Sequence, residues 1–261
     1  MSKLLSRLEK INRGSPAPMG FGAAVRTEKT PAMALIGLLA QNYNQGANRL
    51  VRLEADGALL DGASLDGKLR EIAGALGTVP WGVKVEEMDG DKAKGLVEIG
   101  CDFFVVSPER VTVEAVKDER AAYLLSLPSD VDDRFLRAIE DLPVDAVFMS
   151  IASTESPLTL QHLINIGSIR TMFDKYLILG VPATISAKEM EGLRDMGVDA
   201  LVVDAGRSSE KVLGAIKENL LSLPRQRKPR PDRISPVLPH MAGASAASSD
   251  EDDDDDDDEE L

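Results

Sequence analysis

The chain has 261 residues, a formal net charge of −14, one cysteine, and 43 % apolar against 4 % aromatic residues. That length holds one large domain of about 250 residues or two small ones. A single cysteine rules out an internal disulfide, and eleven consecutive acids from Asp250 to Glu260 carry most of the negative charge.

Setting aside those acids and the net four positive charges of residues 224–249 leaves −7 on residues 1–223. Such a surface repels phosphate backbones, and the basic cluster is confined to PRQRKPRPDR from Pro224, so nucleic acid is not an expected partner. No run approaches the roughly 18–20 apolar residues of a membrane span, and MSKLLSRLEKINRG lacks the apolar core of a signal peptide. The expectation is a cytoplasmic protein with no membrane partner. The apolar surroundings of Cys101 in CDFFVV indicate a buried thiol rather than a nucleophile.

In chain order, LLSRLEKI from Leu4 reads as a helix that covers one end of the fold, followed by the loop GSPAPMGFG. Eight short apolar runs follow: AMALIGLLA from Ala32, DGALLDG from Asp56, WGVKVE from Trp81, CDFFVVS from Cys101, AAYLLSLP from Ala121, VDAVFMSI from Val144, KYLILGVP from Lys175 and VDALVVDAG from Val198. Each is long enough for a strand and too short for an isolated helix. Helix-spaced segments begin at Ser64, Asp89, Asp130, Leu158, Ser186 and Ser208, mostly opened by Ser or Asp and closed by Gly. Near-continuous apolar strands separated by helices form a parallel sheet covered on its outside, and eight such units close a (β/α)8 (TIM) barrel. An open doubly wound sheet would carry a glycine-rich turn after strand one, where Gln41, Asn42, Tyr43 and Asn44 stand instead. The division is an N-terminal helix and loop (1–30), the barrel (31–223) and a linker with an acidic tail (224–261), too polar to fold.

In this fold the working residues lie at the carboxyl ends of the strands. The candidates are Gln41, Asn42 and Asn44 after strand one, Asp61, Lys84, Glu86, Ser107, Ser126, Ser150, Ser153, Thr184 and Asp204. Lys84 and Glu86 share one face of strand three, so an inward Lys84 would make them a proton-transfer or electrostatic pair, with Asp61 and Asp204 as accessory carboxylates. An interior ion pair that sets strand register is the structural alternative. With His162 in a helical stretch and His240 in the tail, a histidine zinc site cannot be assembled.

The stretch YLILGVPATISAKEMEGLRDMGVDALVVDAG, from Tyr176 to Gly206, resembles the closing quarter of phosphate-binding (β/α)8 barrels, the superfamily that includes thiamine phosphate synthase and flavin-dependent barrels. The resemblance implies a phosphate held on backbone N–H groups after strands seven and eight, around Gly180, Gly206, Arg207 and Ser208, and it allows FMN as a cofactor. The chain departs from the pattern where Val181 and Pro182 follow Gly180, and where Asp204 stands in place of a small residue. Ser208 or Ser209 also serves as an ordinary helix cap.

The resulting expectation is a small-molecule enzyme for a phosphorylated or carboxylated metabolite, a lyase, an isomerase or a flavin-assisted enzyme. The alternative is a non-catalytic barrel that binds or assembles, with a basic partner for the acidic tail; homo-oligomerisation is open to either.

Overall fold

The structure, a computed structural model, describes residues 1–13, 29–62, 67–127, 132–151 and 157–224. The loop expected at 14–22, the candidate Ser153 and the acidic tail lie outside the described residues.

Eight parallel strands form a closed barrel in sequence order: β1 (Ala34–Leu39), β2 (Gly57–Asp61), β3 (Trp81–Val85), β4 (Phe103–Val106), β5 (Ala122–Ser126), β6 (Ala146–Ser150), β7 (Tyr176–Gly180) and β8 (Ala200–Asp204). β1 closes the ring by pairing with β8, with Leu35 opposite Leu201 and Leu38 opposite Asp204. The helices are α1 (Lys3–Arg13), α2 (Tyr43–Arg52), α3 (Leu69–Leu76), α4 (Gly90–Glu98), α5 (Asp133–Ala138), α6 (Leu160–Arg170), α7 (Ala187–Asp195) and α8 (Glu210–Ser222).

The expected alternation of strand and helix departs at one connection. β4 and β5 are joined by a 3-10 helix, Val113–Val116, instead of an α-helix. Several helix starts follow side-chain chemistry: Asp89 caps α4 by accepting from the Lys92 N–H, and Ser186 and Glu189 form a reciprocal capping box on α7. Gly100 and Gly197, at φ 98° and 81°, turn the chain after α4 and α7 into conformations that other residues resist.

Alternate residues of each strand divide between two apolar clusters. Leu35, Val83, Phe104, Val147 and Leu201 face the helices, whereas Ile36, Leu59, Phe103, Leu124, Phe148, Ile178 and Val202 fill the barrel interior. Leu4, Leu8 and Ile11 of α1 belong to that interior cluster, so α1 closes the amino-terminal end of the barrel.

An aspartate precedes every second strand: Asp56, Asp102, Asp145 and Asp199 stand immediately before β2, β4, β6 and β8. The N–H of each donates to a carbonyl of the preceding strand: Leu35, Trp81, Tyr123 and Leu177. Three of the carboxylates return the bond, Asp56 accepting from the Leu35 N–H, Asp145 from Tyr123 and Asp199 from Leu177, each at 2.9 Å. Such two-way clamps satisfy strand-end groups that no ladder reaches. Asp102 is the exception, since its carboxylate turns to α1 and accepts from the N–H groups of Lys3 (2.7 Å) and Leu4 (2.8 Å).

Burial raises the Asp56 carboxyl above its ordinary 3.8, and the Leu35 N–H with the charges of Arg7 and Lys217 only partly offsets this. A raised acid binds its proton more tightly folded than unfolded. Its contribution is therefore fully present at low pH and is lost as pH climbs through the folded value. Asp56→Asn, which keeps an acceptor for Leu35, is expected to lose less stability than wild type between about pH 4 and about pH 7. Urea unfolding at the two pH values checks this; parallel losses would show that Asp56 ionises without cost.

Candidate active site at the barrel mouth

The last inward-facing positions of the strands ring the carboxyl-terminal mouth. They include Leu38, Asp61, Lys84, Ser126, Ser150, Gly180 and Asp204, because each shares the parity of interior residues such as Leu59, Leu124, Phe148 and Val202. Ser107, one residue beyond β4, has the same parity. Lys84 thus faces inward, and it is exposed while Trp81, Gly82, Val83 and Val85 of the same strand are buried. A long stem carries its ammonium past the apolar layers to the rim.

Asp61 is the residue opposite Lys84 in the β2–β3 register, on a strand about 4.8 Å away. Among the described residues neither side chain is held in a hydrogen bond or ion pair, and the same is true of the Ser126 and Ser150 hydroxyls. Ser150 lies against Gly180, where an added Cβ would stand 3.0 Å from its Oγ. Among the described residues the mouth therefore presents a carboxylate and a cation on the adjacent strands β2 and β3, and two hydroxyls across the barrel on β5 and β6, none held in a structural bond.

Glu86 lies past the end of β3 and is exposed, with no ion pair to Lys84 among the described residues. Beyond it the chain bridges Met88 to Val111, and Glu87 pairs with Arg110 at 3.1 Å. The residue beside Lys84 across the sheet is thus Asp61, in register on β2, whereas Glu86 stands past the end of the strand.

The other side of the mouth is differently organised. Asp204 Oδ1 accepts from the Arg207 N–H at 3.0 Å, and Oδ2 stands 3.6 Å from Arg207 Nε. The Asp204 carbonyl accepts from the Ser208 N–H at 3.1 Å. Arg207 also reaches the Gln41 side-chain oxygen at 2.9 Å, in the amide orientation that satisfies both groups. From α2, Arg49 donates to the Ala205 (3.0 Å) and Ser208 (2.8 Å) carbonyls, and Asn42 donates to Gly206 at 3.3 Å. Ser208 is buried, and the cap of α8 is Ser209, whose hydroxyl accepts from the Val212 N–H.

Asn42 and Asn44 join Gln41, Lys68 and Glu71 around a cavity of about 480 Å³ between the β1–α2 loop and α3. It lies to the side of the Lys84 group. Thr184 is exposed on the β7–α7 loop. Arg49 was missed in the sequence because α2 itself was missed. Among the described residues no three His, Cys, Asp or Glu side chains gather into a metal-binding group, and no helix is long and apolar enough to cross a membrane. Cys101 is buried, its thiol raised mainly by desolvation, and it donates to the Phe103 carbonyl at 3.3 Å.

The closed eight-stranded parallel barrel is a (β/α)8 fold shared with solved structures of low sequence identity. A mutant tryptophan synthase alpha-subunit from Pyrococcus furiosus superposes with a TM-score of 0.59 at 14 % identity, over 73 % of this chain and 96 % of that one. Orotidine 5'-phosphate decarboxylase from Pyrococcus horikoshii gives 0.58 at 14 % identity, over 72 % and 100 %, and KGPDC from Streptococcus mutans gives 0.58 at 13 %, over 72 % and 97 %. No protein-family model and no curated protein matches the sequence.

Proposed function

We propose that the protein is a small-molecule enzyme working at the carboxyl-terminal mouth of its barrel on a carboxylated or phosphorylated metabolite. The observation that carries the reading is the Asp61–Lys84 pair, inward-facing, in register and uncommitted to structural bonds. A lysine beside a carboxylate attracts an anionic ligand and stabilises charge that develops on it, while the carboxylate can take up a proton from it. Ser126 and Ser150 supply hydroxyls for orientation from β5 and β6. The barrels of similar fold include a decarboxylase of orotidine 5'-phosphate, which favours the same general kind of chemistry.

A panel of sugar phosphates and keto acids, screened by thermal shift and followed by calorimetry on the hits, tests the reading. Lys84→Ala is expected to weaken any hit by about tenfold or more. Asp61→Asn is expected to retain binding while turnover falls. A ligand bound equally well by wild type and both variants would remove the mouth as the site.

A binding protein is the second reading, favoured by α6, where Leu160 and Ile164 are 78 % and 60 % exposed one helical turn apart. It predicts no hit that Lys84→Ala weakens.

A further inference from the structure

We propose that Asp204 is a built-in anion that keeps phosphate off the β8–α8 loop, so the mouth takes a ligand with no phosphate at that end. The inference deepens the reading of the mouth as a ligand site and rests on it, but its test needs no substrate.

A phosphate bound after β8 needs backbone N–H groups that converge and a cation beside them. Here that position is filled from within. The Arg207 N–H and guanidinium both address the Asp204 carboxylate, and the Ser208 N–H is bound by the Asp204 carbonyl. Gln41 takes a further share of the guanidinium. The carboxylate has the charge sign of the ligand it displaces, so a phosphate arriving there meets repulsion and finds the Arg207 and Ser208 N–H groups occupied.

The loop cannot readily reopen around a larger anion. Arg49 and Asn42 hold three of its carbonyls from behind. At Gly206 an added Cβ would collide with the Gln41 carbonyl oxygen, so the loop is packed directly on the β1–α2 backbone. The neighbouring loop offers no substitute cradle at its start. The Val181 N–H donates to Val202, Pro182 has no N–H, and the Ser186 N–H is taken by Glu189 at 2.7 Å. An FMN phosphate does not fit this half of the mouth for the same reasons. Among the described residues of the mouth, the cation without an ion pair is Lys84 on β3, and the ligand's anionic end belongs there.

The test is inorganic phosphate titrated into the full chain at constant ionic strength, with chloride as control, followed by calorimetry and by backbone NMR shifts of residues 204–209. Wild type is expected to give no saturable binding at this loop up to about 20 mM. Asp204→Ser, which removes the carboxylate, is expected to gain saturable binding at least about tenfold tighter, lost again in Asp204→Ser with Arg207→Ala. Asp204→Asn removes the charge with the shape kept, and it carries the test if the serine variant does not fold. Saturable binding by wild type that Arg207→Ala abolishes would overturn the proposal, as would no gain in either folded Asp204 variant. A gain of phosphate in the Asp204 variants with no effect of Lys84→Ala on any metabolite would sink the enzymatic reading and leave Asp204 in its role.

Discussion

Replacing Asp102 with alanine is expected to lower the unfolding free energy by about 3 kcal/mol, with Asp102→Asn losing about half of that. The carboxylate is 9 % exposed and takes three donors from the chain's first residues: the Lys3 and Leu4 N–H groups and the Ser2 hydroxyl at 2.7 Å. The first N–H groups of a helix have no intrahelical partner, and the positive end of the helix dipole faces the charge, so one side chain answers both needs. Alanine would leave two N–H groups and a hydroxyl buried without acceptors. Asparagine keeps one acceptor but not the charge.

The loss would extend beyond the helix end. α1 is also tied down by Arg7 donating to the Ala55 carbonyl at 2.7 Å and by Asn12 donating to Asp199 at 2.9 Å. Leu4, Leu8 and Ile11 therefore reach the barrel interior only while α1 stays docked. Urea unfolding of Asp102→Ala beside Asp145→Asn, which disturbs a strand clamp without touching α1, separates the two roles. Equal stability losses for the pair would refute the anchoring role, as would increased proteolysis in Asp145→Asn and not in Asp102→Ala.

The strands were legible because each is an apolar run that burial on both faces demands, and all eight fall within the segments read from the sequence. α2 was not legible. Its opening carries no side-chain cap, Asn42 sits in the left-handed region at φ 50°, and YNQGANRLVR has little apolar content. The β4–β5 connection carried no helix-spaced segment, and a 3-10 helix spans it. The spacing of Lys84 and Glu86 put both on one face of strand three, and the structure turns Lys84 inward. The partner of Lys84 depends on the β2–β3 register, which spacing along one strand cannot reveal. The role of Asp102 was equally hidden, since its partners lie about a hundred residues away. The recurrence of Asp before β2, β4, β6 and β8 was present in the sequence as an Asp ahead of alternate apolar runs.

Gly82→Ala is expected to cost about 3 kcal/mol, more than an alanine usually costs in a strand, because the barrel interior has no room for a methyl group there. A Cβ on Gly82 would meet both the ring and the carbonyl oxygen of Phe103, which is fully buried and directly opposite in the β3–β4 register. The bare backbone of one strand thus makes space for the aromatic ring of the next, a pairing of small with large that a tapered interior requires. Shrinking the ring with Phe103→Leu in the same chain is expected to recover part of the loss, with a coupling of about 1–2 kcal/mol in a double-mutant cycle. Recovery is partial because the carbonyl oxygen does not move with the ring. The effect reaches the mouth as well, since Gly82 is the inward position just below Lys84 on β3. A strand pushed away from β4 shifts Lys84 against Asp61, so ligand binding should weaken in Gly82→Ala even under conditions where the variant is fully folded. Unchanged stability in Gly82→Ala would mean that the interior at this layer is looser than the contact with Phe103 implies.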